Sequence, residues 1–350
     1  MLDVRSGGVA LRTQGWIFAM AGAVAFSGKA IVAKLMYKLG ADAFAVVGLR
    51  MLMAFPLFLA MAWWAGRDDG SQAAPAELTQ RQRWQIVGLG FCGYYLASTL
   101  DFLGLQYISA SLERAILYLN PTIVLLISAV WLRHVVRPAQ LASMALSYAG
   151  VAIVFLHDWD AAHLVSRAAS GGSMDPISAI AWGSLFVFLS AVSYAIYLIG
   201  SGQLVQTLGS MRLVGLASCA ACAMAVAQWL AVYMATDGRV AAVSHLPWQA
   251  WALSAVNATA CTVLPVWMVM RGVQLIGAST ASQVGMVGPL STIWMAAWFL
   301  DEPVTWRLLV GTGAVLAGIL LLARSGRPAA AAVPGQGAAA AVPADKRARA

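Results

Sequence analysis

Ten long apolar runs constrain the fold of this chain more than any other feature of its sequence. Because the hydrocarbon core of a bilayer is about 30 Å thick, a helical crossing needs roughly 20 apolar residues. Backbone groups inside lipid must also form their hydrogen bonds within the protein, so the sequence predicts an all-α membrane protein. Runs of suitable length predict ten crossings, at residues 14–37, 43–64, 84–105, 110–132, 138–156, 177–200, 213–235, 248–270, 279–299 and 305–323.

The charged residues are too few for a water-facing surface, and their positions indicate an orientation. Only 10% of the 350 residues are charged, whereas soluble domains carry about 25%. If the N-terminus is cytoplasmic, fourteen of the 22 basic residues fall in cytoplasmic segments and four in outer loops. Because basic residues favour the cytoplasmic side, both termini are predicted to be cytoplasmic in a multi-pass protein of the cell membrane. The net charge of +8 therefore indicates topology in a lipid bilayer and no nucleic-acid partner.

The two halves of the chain match each other without gaps at a shift of 168 residues. Five crossings separate each pair of equivalents, and because five is odd the second copy enters the membrane in the opposite direction. Inverted repeats of this kind are typical of secondary transporters, with the substrate bound near the midplane between the copies. The clearest matches are Gly104, Gln106, Ile108, Ala110, Ser111 and Pro121 with Gly272, Gln274, Ile276, Ala278, Ser279 and Pro289.

Long segments of both halves also resemble a known family. FSGKAIVAKLMYKLGADAFAVVGLRM and DFLGLQYISASLERAILYLNPT in the first half, and GVQLIGASTASQVGMVGPLSTIWMAAWFLDEP in the second, resemble the EamA-type repeats of the drug/metabolite transporter superfamily. The resemblance covers about residues 15–323 and implies two inverted five-helix repeats. It also implies export or exchange of small metabolites such as amino acids or drug-like compounds. The acidic residue that follows the fourth helix of each family repeat is present as Glu302, but its first-half counterpart is His134.

This organisation predicts five segments along the chain. The repeats are expected at residues 14–156 and 177–323, after a cytoplasmic N-terminus at 1–13 and joined by an extracytoplasmic connector at 157–176. The connector carries His157, Asp158, Asp160 and His163, which we interpret as solvated residues and not as metal ligands. The tail at 324–350 is rich in alanine, proline and glycine, which predicts a disordered cytoplasmic segment.

Five ionisable side chains within the first repeat are the strongest candidates for function. Each costs roughly 2.5–3.5 kcal/mol to insert into a bilayer, and their positions along the helices place all five in its outer half. In one interpretation the cations bind an anionic group of the substrate, with an acidic residue as a titratable partner. In the other, Arg50 pairs with Asp101 or Glu113 to fix helix packing, while Lys29 and Arg114 extend to the outer surface. The five are Lys29, Arg50, Asp101, Glu113 and Arg114.

Paired interruptions within the spans indicate where the site lies. Asn120-Pro121 and Gly288-Pro289 occupy equivalent positions, and a proline inside a helix removes a backbone donor and opens polar backbone. Such pairs mark the binding site in transporters built from inverted repeats, although a simple kink is the alternative. Tyr118, Asn257, Thr262 and Gln283 could line the same cavity, or hydrogen-bond to neighbouring helices.

The sequence contains patterns that resemble catalytic, cofactor-binding or metal-binding motifs, but the residues around them do not support such roles. Cys219 and Cys222 form a CxxC pattern inside an apolar run, and Gly88, Gly90 and Gly93 form GxGxxG without a preceding strand. The sequence therefore predicts a secondary transporter of a small molecule by alternating access, with no enzymatic activity and no cofactor. A proton or other gradient, or simple exchange, would drive it because no ATPase motif is present. A channel, or a membrane enzyme or scaffold without transport, is the alternative.

Overall fold

The structure, a computed structural model, describes residues 3–66, 78–131, 138–168, 176–276 and 287–325, and within these ranges all regular structure is helical. Eight helical stretches are long and apolar enough to cross a membrane, and two shorter apolar helices complete the set. These confirm the predicted all-α membrane protein with ten crossings. The helices are α1 (Asp3–Lys38), α2 (Ala43–Ala65), α3 (Gln80–Gly90), α4 (Ala97–Leu105), α5 (Ala110–Leu117), α6 (Asn120–Trp131), α7 (Pro138–Ala168), α8 (Pro176–Leu208), α9 (Ser210–Ala235), α10 (Trp248–Ala258), α11 (Leu264–Ile276), α12 (Val287–Leu300) and α13 (Trp306–Ser325).

Three helices, α1, α7 and α8, extend well beyond the predicted crossings. The first begins at Asp3, and α7 continues to Ala168, so helix covers much of the N-terminal segment and of the connector. On the exposed end of α7, Asp160 accepts a hydrogen bond from Arg307 of α13, with 2.5 Å between Oδ2 and Nη1. Most of the predicted disordered tail, from residue 326 onward, lies outside the described residues, as does His134.

Each half packs one of its helices against the other half, and the two contacts involve equivalent helices. Gly104 of α4 lies so close to α8 that a Cβ atom on it would be 2.5 Å from the carbonyl oxygen of Gly183. Their equivalents at the 168-residue shift are Gly272 of α11 and Gly15 of α1, and Gly272 packs closely against Ala19 of α1. Thus α4 packs on α8 as α11 packs on α1, which is the relation expected of two duplicated, inverted halves.

Both halves contain a π-helical turn at the same place. One covers Phe91–Leu96 between α3 and α4, and the other covers Thr259–Val263 between α10 and α11. Their first residues are 168 positions apart, the same shift that aligns the repeats. In the second turn the Thr262 hydroxyl donates to the carbonyl of Asn257 at 2.7 Å, five residues earlier. π turns widen a helix locally and are frequent at functional sites, and no sequence pattern had indicated them.

The proline interruptions begin helices and do not bend them. In the first half the chain leaves helix after Leu117 and re-enters it at Asn120, so that Pro121 lies in the first turn of α6, where its missing N–H is tolerated. In the second half Pro289 lies in the first turn of α12, which begins at Val287. The predicted break in the fourth crossing is therefore present, with a non-helical turn just before its proline.

Candidate functional site

A cavity of about 370 Å³ lies between the two halves and is lined by both of them. Twelve of its 23 wall residues form six pairs that are equivalent at the 168-residue shift, so at these six positions the two halves contribute different chemistry to one cavity. Arg50 is paired in this way with Ser218, and Asp101 with Val269. The remaining pairs are Phe26 with Tyr194, Tyr94 with Thr262, Ala97 with Pro265 and Ser98 with Val266.

Of the residues predicted to line a substrate pathway, six from the first repeat and Thr262 from the second are on this wall. The six come from α1, α2, α4, α5, the turn after α5 and the start of α6, and they include four of the five intramembrane charges. The fifth charge, Glu113, lies behind the wall. The six are Lys29, Arg50, Asp101, Arg114, Tyr118 and Asn120.

The ammonium of Lys29 lies between two carboxylates. Its Nζ is 2.5 Å from Oδ2 of Asp101 and 3.9 Å from Oε1 of Glu113. Lys29 is 7% exposed, Asp101 2% and Glu113 not at all. Removing either partner of an ion pair buried to this degree is strongly destabilising, because it leaves an uncompensated charge in a medium of low dielectric.

The second carboxylate is shared with a neighbouring arginine. Glu113 Oε2 is 3.7 Å from Nε of Arg114, and both residues belong to the short helix α5. Arg114 is 6% exposed and lines the cavity. The two carboxylates of the cluster are thus engaged with Lys29 and Arg114.

Arg50 forms no ion pair with any residue that the structure describes. Within the described part of the chain, its only hydrogen bond is from Nη1 to Thr262 Oγ1, at 3.5 Å, and its Nε and Nη2 have no partner. The guanidinium stacks over the ring of Phe102, with its central carbon 4.6 Å from the ring centroid. The residue is 3% exposed in the structure and lies on the cavity wall.

These contacts correct the packing interpretation drawn from the sequence. Arg50 does not pair with Asp101 or Glu113 within 4 Å, because those carboxylates lie against Lys29 and Arg114. Lys29 and Arg114 do not extend to the outer surface either, since both are more than nine-tenths buried. Spacing along each helix is enough to place the charged residues at a similar depth, but it cannot show which side chains pair with each other.

The asparagine, glutamine and proline residues predicted for the pathway lie in different places. Asn120 donates from Nδ2 to the carbonyl of Ala191 at 3.0 Å, which ties α6 to α8 across the repeats. Pro121 is exposed, and Asn257 is fully buried away from the cavity wall. Pro289 is placed only through its helix, and Gln283 lies outside the described residues.

A tyrosine cluster that reaches the wall through Tyr94 and Tyr194 had not been predicted. The hydroxyls of Tyr94 and Tyr197 are 3.2 Å apart with their rings edge to face, and Tyr194 stacks on Tyr197 at 5.5 Å between centroids. Tyr197 is the counterpart of Lys29, so the 168-residue shift was the signal that could have found this cluster. Where the first half has an ion pair, the second has aromatic rings that carry hydroxyl groups.

Glu302 of the second half holds the helix that carries two of the charges. Its Oε1 accepts from the backbone N–H of Ala110 and its Oε2 from the hydroxyl of Ser111, both at 3.0 Å. Ser109 adds an N-cap by accepting from Leu112 N at 3.0 Å. Because the first N–H groups of a helix lack intrahelical partners, these bonds stabilise the start of α5, one turn from Glu113 and Arg114.

Comparison with known proteins agrees with this architecture. The family model described as the EamA-like transporter family matches residues 13–156 and 181–324. The chain is 31% identical over 308 residues to the uncharacterized transporter YcbK of Bacillus subtilis (strain 168), covering 86% of this chain and 90% of that one. The uncharacterized transporter YvbV of the same organism is 26% identical over 239 residues, covering 64% and 66%.

A solved crystal structure also shares the fold. It aligns with a TM-score of 0.53 at 16% identity over 89% of this chain and 98% of its own. The two family matches coincide with the two repeats found from the sequence, and the prediction of a transporter and not an enzyme is confirmed. The chain belongs to the EamA-like transporter family.

Proposed function

We propose that this protein is a secondary transporter that exports a small metabolite, such as an amino acid or a drug-like compound, through the cavity between its repeats. The cavity itself carries the proposal, because both halves line it and six of its wall positions occur in both. Its volume of about 370 Å³ falls at the small end of ligand pockets, which span about 300–1,000 Å³. A small metabolite fits this space.

The proposed mechanism is alternating access by rocking of one repeat against the other. The two π turns contribute wall residues, Gly93 and Tyr94 from the first and Thr262 from the second, so a change at either turn acts directly on the cavity. Transporters with inverted repeats move in this way around a fixed central site. The paired turns support such a motion because they place a locally widened helix at the same position in each half.

The proposed orientation puts both termini in the cytoplasm of a cell-membrane protein. Ala110 and Glu302 then lie at the outer end, where the carboxylate of Glu302 joins the second repeat to the first. In this conformation the outer end is held together by a contact between repeats. Opening toward the outside requires those two hydrogen bonds to break, while Arg114 and Tyr118 on the wall below them would meet the substrate.

Flux into proteoliposomes tests this function. Purified protein is reconstituted and counterflow is measured for amino acids, cationic drugs and organic anions, with and without a proton gradient. We expect saturable flux for one class. Ala23→Leu, which fills the cavity wall, should reduce it at least tenfold, whereas Ala223→Leu on the exposed face of α9 should not. Absence of saturable flux for every class, or equal flux in both variants, contradicts the proposal.

A further inference from the structure

The charges around the cavity do not balance. Three cations and one carboxylate line the wall, and Glu113 behind it brings the cluster to one net positive charge. The excess positive charge lies at Arg50, because Lys29 and Arg114 are within 4 Å of carboxylates and Arg50 is not. A buried guanidinium without a counterion is unfavourable unless something negative joins it.

The surroundings of Arg50 leave two of its three nitrogen atoms without a hydrogen-bond partner among the described residues. The Phe102 ring covers one face of the guanidinium, and Nη1 donates a long hydrogen bond of 3.5 Å to Oγ1 of Thr262. Nε and Nη2, which form one edge of the planar fork, have no hydrogen-bond partner in the described ranges. That edge matches the two oxygens of a carboxylate or sulfonate, which arginine binds with two parallel hydrogen bonds.

A further donor lies at the equivalent position of the other repeat. Ser218 is the counterpart of Arg50, lines the same cavity and is 1% exposed, and its hydroxyl has no partner among the described residues. Away from the charges the wall is apolar and aromatic, with Phe26, Phe58 and Tyr194 among its members. The space therefore combines an arginine that has no carboxylate within 4 Å among the described residues with room for an apolar body.

We propose, as a deepening of the transport function proposed above, that the substrate is a small organic monoanion with an apolar or aromatic body, anchored by the guanidinium of Arg50. The carboxylate or sulfonate group binds the free edge of Arg50, and the body lies against the aromatic wall. Lys29 and Asp101 neutralise each other at 2.5 Å and keep the site from accepting a second negative charge. A cationic substrate would place its charge beside an uncompensated guanidinium.

Binding of a matched set of compounds to the full-length protein in detergent micelles tests the charge preference. 3-Phenylpropionate and benzenesulfonate carry the anionic group, and phenylalanine, 2-phenylethylamine and 3-phenylpropanol carry a zwitterionic, a cationic and a neutral head on a similar body. By titration calorimetry we expect at least tenfold tighter binding of the anions. Equal or tighter binding of the amine or the zwitterion, or no binding of either anion, overturns the inference.

A pair of variants tests the role of Arg50. Arg50→Gln should weaken anion binding at least tenfold, while Arg239→Gln, the same change at an exposed position far along the chain, should leave it unchanged. Without ligand, the unfolding midpoint of Arg50→Gln should be equal to or above that of wild type, because the guanidinium has no carboxylate to lose. A variant that unfolds, or one that binds the anions like wild type, contradicts the assignment.

Different results would contradict the proposed transport function and the proposed monoanionic substrate. Saturable counterflow of an amine or an amino acid, with no anion binding, would retain the transport function and reject a monoanionic substrate. Loss of saturable flux for all classes would reject the transport function itself.

Discussion

The two repeats are alike in backbone and different in charge. Each contains a π turn at the same position, a proline in the first turn of a helix at equivalent positions, and close glycine contacts that exchange between the halves. Yet within the described ranges the five buried intramembrane charges all belong to the first repeat. In the second, the counterparts of Lys29, Arg50 and Asp101 are Tyr197, Ser218 and Val269.

This difference separates two requirements of a transporter. Movement of one half against the other needs matching backbone geometry, because both halves must adopt the two arrangements in turn. Recognition of a substrate needs only one set of charged groups at a shared cavity. The second half is therefore free to replace charges with hydroxyl and aromatic groups, provided that its helices keep the same path.

The largest expected effect comes from breaking the ion pair of the charged half. Asp101→Asn leaves Lys29 with only the more distant Glu113, so the free energy of unfolding should fall by about 3 kcal/mol. Replacing both partners with leucine should recover most of that loss. Denaturant titration of the purified protein measures both, and equal losses in the single and double variants would contradict the buried pair. At the uncharged counterpart, Val269→Thr should cost about 1 kcal/mol or less.

A smaller effect is expected where the second half holds the first. Glu302→Ala removes two hydrogen bonds from the start of α5, which should destabilise that helix end by about 1–2 kcal/mol. Hydrogen exchange at residues 110–113 should then accelerate about tenfold, while exchange in α9 stays unchanged. Equal protection in the variant and wild type would show that Ser109 alone is enough to cap the helix.

The smallest expected effect concerns the hydroxyl of the second π turn. Thr262→Val removes a hydrogen bond to the carbonyl of Asn257 and the long contact with Arg50, at a cost of about 1 kcal/mol. Tyr94→Phe, at the equivalent position in the first half, loses only the 3.2 Å hydroxyl contact with Tyr197 and should cost about 0.5 kcal/mol. Thermal unfolding of the two variants ranks them, and the reverse order would contradict a structural role for the Thr262 hydroxyl.

Much of the fold follows from the sequence, because apolar length sets each crossing and an ungapped shift sets the repeat. The six wall residues of the first repeat could also be predicted from the sequence, because polar groups within a membrane span rarely face lipid. The partner of each charge could not be predicted, because spacing along a helix gives depth but not which neighbour a side chain meets. The contact of Glu302 with Ala110 joins residues almost two hundred positions apart, and only tertiary packing brings them together.

If both repeats form the passage and the charge of the first selects the substrate, transport of an organic anion depends on Arg50. Counterflow of benzenesulfonate, which stays ionised and crosses lipid slowly, tests this most directly in proteoliposomes of wild type, Arg50→Gln and Arg239→Gln protein. We expect saturable flux in wild type and Arg239→Gln and at least a tenfold loss in Arg50→Gln. Equal saturable flux in all three proteins, or flux that rises linearly with concentration, would contradict it.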